Sequence, residues 1–395
     1  MRLVHLSDFH LGYRQYQRLT PTGINQREAD VAGTFKRAID QVIAIRPEIV
    51  LIAGDVFHTS RPSNAAILHA FRQFLKLRTE LPETKIVMAA GDHDTPRTSE
   101  SGSIMGLFEQ IGISVAAAEA KRFLFEDLGV AVLAVPDVPG GTPILTADDR
   151  AAHNLLVMHA NLNDVVPQYY ADLDRSTTRL SRADLHLERW SYVALGHYHV
   201  HQKVAENAYY SGSLDYTSLN VWYDLSEEHP KKRKGFVEFD LDTRKATFHS
   251  VAPSRDFLDL DPINARDMTP AEVDAIVART IERVRGGIAD KIVRLVIRDI
   301  PRQVSRELDH RVIREYKRQA LSFILDARKP ESTRRDAAGA PARRPSVVDV
   351  VREQLSARQM PPDLDRGRLV ELGMKYLNDA DAFPVAAASA PEVTT

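Results

Sequence analysis

The 395-residue chain contains no cysteine. That excludes disulfides and thiolate metal sites and suits a reducing compartment. It also lacks any apolar run near the ~20 residues needed to span a bilayer, so no membrane association is expected. Neither charge sign is in excess, since 52 Lys+Arg stand against 54 Asp+Glu. A nucleic-acid partner would therefore need a local basic patch. The opening "MRLVHLSD" reads as a strand, not as a basic-then-apolar leader, so a cytoplasmic protein is expected.

What is present is a series of short apolar runs that end in polar clusters. "RLVHLSD", "EIVLIAGD", "KIVMAAGD", "NLLVMHA" and "YVALGHYH" have strand length, and residues 27–45 and 65–77 carry apolar side chains at helical spacing. Strands apolar on both faces imply an α/β fold with helices on its flanks. "AYYSGSLDY", "GFVEFDLD" and "KATFHSV" read as antiparallel strands.

Past residue 260 a helix is expected from "MTPAEVDAIVARTIERV", capped by Thr269 with Pro270 in its first turn. A strand "KIVRLVIRDI" and a second helix through "VSRELDHRVIREYKRQALSFIL" follow. Residues 328–345, rich in Ala, Pro and Arg, read as a mobile basic linker. Two amphipathic helices follow within 346–382, one with Val347, Val351 and Leu355 on a stripe and one with Leu369, Leu372 and Tyr376. Such a pair cannot bury both stripes alone, so it is expected either to bind a partner or to fold back on the main body. Residues 383–395 read as a disordered tail.

The chemistry lies at the strand exits: Asp8-x-His10, Gly54-Asp55, Gly91-Asp92-His93-Asp94, His159 and Gly196-His197-Tyr198-His199. Open α/β sheets place their sites at those ends. Carboxylate and imidazole donors without sulfur describe a divalent-metal site, and two-residue spacing on an extended segment points both side chains one way.

These motifs, in this order, resemble the calcineurin-like metallophosphoesterases, and within them the SbcD-type DNA repair nucleases. "HLSDFHLG", "GDVFH" and "YYSGSLDYTS" carry the closer likeness. The resemblance implies a four-layer αββα double-ψ sandwich over 1–258, a small DNA-facing α/β cap over 259–327 and a helical pair that binds an ATPase. It implies one metal on Asp8, His10, Asp55 and His199, and a second on Asp55, Asp92, His159 and His197. Two Mn²⁺ per chain are expected, with Mg²⁺ or another divalent ion as substitutes. His93 matches the catalytic histidine, Asp94 would either orient it or cap its loop, and His58 would stand near the phosphate path. Asp92 departs from the family pattern, which has Asn there.

The implied function is Mn²⁺-dependent cleavage of DNA, as a double-strand 3′–5′ exonuclease and a single-strand or hairpin endonuclease. The partners would be DNA, an SbcC-type SMC-like ABC ATPase and a second copy of the chain, with association to the nucleoid. Arg14, Arg18, Arg61, Arg97, Arg294 and Arg298 are candidate phosphate contacts, and Lys231 to Lys234 form a basic run. His201, just past the last ligand, reads as a surface residue. A small-molecule phosphoesterase and a catalytically weakened DNA- and ATPase-binding scaffold are the alternatives.

Overall fold

A computed structural model describes residues 1–96, 102–139, 144–167, 178–227, 234–330, 351, 355 and 365–381. The chain divides into two compact units, Met1–Pro330 and Glu331–Thr395.

The first unit is built on two six-stranded sheets. One runs β14-β13-β1-β2-β3-β4 and the other β11-β12-β10-β7-β6-β5. In the first, β1 (Arg2–Leu6), β2 (Ile49–Ala53), β3 (Lys85–Ala89) and β4 (Ser114–Ala116) are parallel. In the second, β6 (Val130–Val135), β7 (His153–His159) and β10 (Tyr192–Gly196) are parallel, with β5 (Lys121–Phe125) antiparallel on β6. A short parallel pair, β8 (Asn161–Leu162) and β9 (Arg179–Leu180), stands apart.

The period-2 geometry of a strand explains why the central runs are apolar on both faces, as in β2. Ile49, Leu51 and Ala53 of β2 face the layer between the sheets, where Leu155 and Val157 of β7 and Tyr192 of β10 meet them. Val50 and Ile52 face outward onto Phe35 and Phe74. Those two rings come from α1 (Gln26–Ile45) and α2 (Asn64–Glu80). On the far side, Leu156, Val193 and Leu195 are covered by Leu185, Trp190 and Tyr198.

The expectation of purely antiparallel pairing after residue 200 needs correction. β12 (Ala208–Tyr210) is antiparallel to β11 (Gln202–Ala205) but parallel to β10, because β11 turns back at the sheet edge and leaves β12 in between. β13 (Gly235–Asp240) and β14 (Lys245–Ser250) form the expected antiparallel pair, and β13 joins β1. Between β12 and β13 in sequence lies the short helix α3 (Val221–Glu227). His201 is half-buried rather than a plain surface residue, its ring 4.3 Å from that of Phe248.

A parallel three-stranded sheet follows: β15 (Phe257–Asn264), β16 (Ile292–Arg298) and β17 (Ser322–Ala327). The boundary expected at 258/259 therefore falls inside a strand. α4 (Pro270–Glu282) starts as expected, with Thr269 and Glu272 in a reciprocal capping box. The long second helix does not form as one piece. α5 (Arg302–Arg306) stops, Asp309 caps α6 (His310–Gln319), and Ala320 turns extended so that "SFIL" becomes strand. Phe323 and Leu325 there pack into a sheet core with Val293 and Leu295. Tyr216, Val221, Phe257, Ile292 and Leu321 form an apolar seam between this block and the larger sheets.

In the second unit, α7 (Arg366–Asp381) is described, together with Val351 and Leu355. Leu355 lies against Gly373, where an added Cβ would come 2.5 Å from its Cδ1. Leu369 is half-buried, whereas Leu372 and Tyr376 are 48% and 66% exposed. Val347 and the linker from 331 to 345 lie outside the described residues. No helix among the described residues is long and apolar enough to cross a membrane.

Candidate metal centre

Five parallel strands, β1, β2, β3, β7 and β10, end at one place. The loops beyond β1 and β2 are tied together: Asp8 N–H donates to Gly54 O and His10 N–H to Asp55 O, each at 3.0 Å. Asp8, His10 and Asp55 all take left-handed backbone, with φ of 56°, 48° and 53°. Non-glycine residues avoid that region at a cost on the order of 1–3 kcal/mol each, so such a concentration marks a site rather than a scaffold. Gly54 shares that conformation at φ +87°, and a Cβ there would sit 2.4 Å from His159 Nδ1. Only glycine lets β2 and the β7 exit approach so closely.

Among the described residues the donor atoms fall into five overlapping trios, each within 4.8 Å. Asp8, His10 and His199 make one set and Asp92, His159 and His197 another, while Asp8, Asp55 and His159 make a third that joins them. Asp55 lies between them, Oδ2 being 3.4 Å from His10 Nε2 and 3.6 Å from His159 Nε2. Within the second set, Asp92 Oδ1 is 3.0 Å from His159 Nε2 and 3.6 Å from His197 Nδ1.

These residues fit divalent metal. His159 donates Nδ1–H to Ala53 O at 2.8 Å, which orients the ring so that Nε2 faces Asp92 and Asp55. Burial opposes charge on His159, but Asp55 and Asp92 outweigh it and raise its proton affinity well above the usual histidine range. Burial also lifts Asp55 well above the carboxylate range, reinforced by Asp92 and Asp94. Asp92 is held well below that range, because hydrogen bonds from His159 and His197 overcome its burial. Buried carboxylates that must share protons with imidazoles are the donor chemistry that a cation satisfies.

His93 stands beside both sets, its side chain 22% exposed. Its Nδ1 donates to His58 O at 2.6 Å, its backbone N–H donates to Asp55 Oδ1 at 3.0 Å, and Nε2 lies 3.7 Å from Asp92 Oδ2. The His58 ring stacks on His93, centroids 5.1 Å apart, and its Nδ1 is 3.4 Å from His10 Nδ1. All these groups open onto a cavity of about 470 Å³ walled by Tyr13, Asn220 and Tyr223.

Asp94 does not orient His93. Its buried carboxylate accepts Gly91 N–H and Val56 N–H at 3.1 Å and Phe57 N–H at 2.8 Å. It clamps the β2 and β3 exits together, and the orienting group for His93 is the carbonyl of His58.

The arginine expectations divide. Arg14 lines the cavity and pairs with Glu28 at 2.7 Å, with its side chain 61% exposed. Arg61 and Arg298 are exposed. Arg18 and Arg294, by contrast, direct their donors into the protein. Arg18 bonds Arg318 O and Ala320 O at 3.0 Å. Arg294 grips Asp259 with two bonds, 2.8 and 2.6 Å, and lies 4.8 Å from the Trp222 ring centre. Arg97 and Lys231 to Arg233 lie outside the described residues. Lys234, the last of that basic run, is buried at 1% exposure rather than solvated.

The sequence alone did not single out Lys234, Asp224 or Ser213, all buried behind His199. The one available signal was the position of Lys234 at the start of β13, directly before Gly235 and Phe236.

Residues 1–229 match the family model of calcineurin-like phosphoesterases. The chain is 29% identical over 258 residues to the DNA double-strand break repair protein Mre11 of Methanococcus maripaludis, covering 61% of this chain and 63% of that protein. It is 28% identical over 253 residues to the Mre11 protein of Methanocaldococcus jannaschii, with the same shares. To that of Sulfolobus acidocaldarius it is 24% identical over 304 residues, 72% of each chain. It thus spans under two thirds of the length of the first two relatives.

Proposed function

The chain belongs to the calcineurin-like phosphoesterases, and on that premise we propose that it is a Mn²⁺-dependent DNA nuclease of a double-strand-break repair complex. It would act as a double-strand 3′–5′ exonuclease and as an endonuclease on single strands or hairpins. The observation that carries this is the meeting of Asp8, His10, Asp55, Asp92, His159, His197 and His199 in overlapping groups of donor atoms, with Asp55 Oδ2 near both His10 and His159. Two Mn²⁺, one on Asp8, His10, Asp55 and His199 and one on Asp55, Asp92, His159 and His197, would supply an activated water and neutralise phosphate charge.

The protein's own part is positional. With Nδ1 committed to the His58 carbonyl, Nε2 of His93 is the atom left to meet the substrate. There, when the ring is the imidazolium, Nε2–H donates to a phosphate oxygen or to the departing one. His58 stacks on that ring and limits its swing. Asp8, His10, Asp55, His159, His197 and His199 are buried, and the cavity lined by His10, Asp55, Asp92, His197 and His199 is where a phosphodiester would approach them. Arg14, Arg61 and Arg298 would add sequence-independent, salt-dependent contacts to DNA.

Residues 259–327 would form the DNA-facing cap, and the 346–382 helices would dock on an SMC-like ABC ATPase. Exposed Leu372 and Tyr376 support an apolar partner there. Leu68 and Leu75, half-exposed and seven residues apart on α2, support a homodimer through α2 and 104–110.

Linear duplex DNA with Mn²⁺, run beside a chromogenic phosphodiester, tests the reading. Progressive shortening of DNA is expected; rapid small-ester turnover with DNA left whole sinks it. Co-purification with a coiled-coil ATPase should be lost when 346–382 are deleted.

A further inference from the structure

His199 is held from behind by a buried charge. Its carbonyl accepts Ser213 N–H at 3.1 Å and the Lys234 ammonium at 3.1 Å. The ammonium also reaches Ser213 Oγ at 3.0 Å and lies 4.5 Å from the centre of the Tyr216 ring. Its counter-charge is Asp224 Oδ2 at 3.6 Å, and both side chains are 0% exposed. Asp224 in turn accepts Ser218 Oγ at 2.8 Å. Gly212, at φ +77°, brings this loop against His199: a Cβ there would sit 3.0 Å from the His199 carbonyl oxygen.

Burying an ammonium costs several kcal/mol, and a lysine–carboxylate pair is often no better for stability than apolar residues of the same size. Packing alone therefore does not account for Lys234. What it does is join three segments at one atom: the start of β13, the 211–213 loop, and α3 with its cavity-lining Asp224. The point where they join is the backbone of a residue whose ring meets His10 and Asp8.

We propose that Lys234, paired with Asp224, is a positioning residue for the metal ligand His199. The ammonium fixes the 199 carbonyl, and through it the direction of the imidazole toward Asp8 and His10. This rests on the phosphoesterase reading and makes a selective claim within it. The set containing His199 depends on Lys234; the set of Asp92, His159 and His197 does not, because His197 N–H is instead fixed by the Asp8 carboxylate at 3.0 Å.

The test is Mn²⁺ titration by calorimetry of the full, EDTA-stripped chain, comparing wild type with K234M/D224N. The double change removes both charges, so neither is left buried alone. Two binding events are expected in wild type. In the variant one should weaken about tenfold or more, the loss typical when a group behind a ligand is removed, while the other holds. Unchanged affinity at both sites overturns the proposal, and so does equal weakening of both, which would mean a general structural role. Should the double variant not fold, Ser213→Ala decides: a loss of about threefold at one site is expected, and none overturns the idea. A wild-type chain that takes up no Mn²⁺ removes the phosphoesterase reading itself and this proposal with it.

Discussion

His10 Nε2 and His199 Nε2 face each other at 2.9 Å, both rings buried. Burial pushes both well below the usual histidine range, helped at His10 by the His199 and His93 rings and at His199 by Lys234. Two neutral imidazoles at that distance must share a single hydrogen or accept a cation between them. Divalent metal is therefore expected to stabilise the fold. At free Mn²⁺ of about 100 times Kd, one site adds ~2.7 kcal/mol. Thermal unfolding should shift up with Mn²⁺, return with EDTA, and shift less in His199→Ala. A melting curve indifferent to Mn²⁺ would refute the site.

Asp92 places a second carboxylate where an anionic phosphate must arrive. Its Oδ1 is engaged by His159 and its Oδ2 faces His93 Nε2. Asparagine would keep an oxygen for metal and present NH₂ to the phosphate. Removing one like charge at about 4 Å is worth between ~1 and ~4 kcal/mol depending on local screening. Asp92→Asn should therefore raise kcat on a phosphodiester about tenfold and weaken Mn²⁺ binding at that set. Steady-state kinetics at saturating Mn²⁺ decides, and a lower kcat would show the charge argument to be wrong.

His93 and Asp94 are neighbours in sequence with separate work. His93→Gln should lower kcat by a factor of about 10²–10⁴ and leave Mn²⁺ affinity and melting temperature alone. Asp94→Asn should do the reverse. It turns one acceptor into a donor facing backbone N–H groups, at a cost of ~1–3 kcal/mol for each bond left unmade. Urea unfolding of the two variants in EDTA separates them. Equal stability loss in both would mean that Asp94 supports His93 after all.

The ligands were legible because each stands at or just past the end of a mainly apolar strand, where a polar cluster has to lie at the sheet end. That Asp94 could cap its loop was legible, but not which backbone groups it would hold. Its donors, Val56 and Phe57, belong to a loop 37 and 38 residues away and contribute only backbone N–H. Lys234 was hidden by its company, since a lysine after three basic residues looks solvated until Asp224 and Tyr216 are placed around it. "SFIL" was read as helix because its apolar residues continue a helical pattern; the edge of β16, seen only in the fold, claims it as strand. Arg294 and Arg18 show the same limit, because nothing local reveals that Asp259 or the carbonyl of Ala320 will occupy them.

His5 provides a pH signature independent of the metal centre. It lies in β1, fully buried, with Nδ1 3.1 Å from the Tyr192 hydroxyl. Burial, with a smaller contribution from His201, pushes its pKa down to about 3. The folded state therefore keeps the ring neutral, whereas the unfolded chain protonates it below about pH 6.5. The unfolded state binds the extra proton, so the stability held above pH 6.5 is lost as pH falls, until the folded ring itself titrates near 3. The slope is at most ~1.4 kcal/mol per pH unit. His5→Phe lacks that proton uptake. Between pH 6.5 and 5.0 the stability of wild type should drop by about 2 kcal/mol relative to His5→Phe, measured by urea unfolding in EDTA. Other buried histidines contribute equally to both proteins and cancel in the difference. A gap that stays constant across that range would mean the folded chain protonates His5 as readily as the unfolded one, and that the layer between the sheets is open to water at β1.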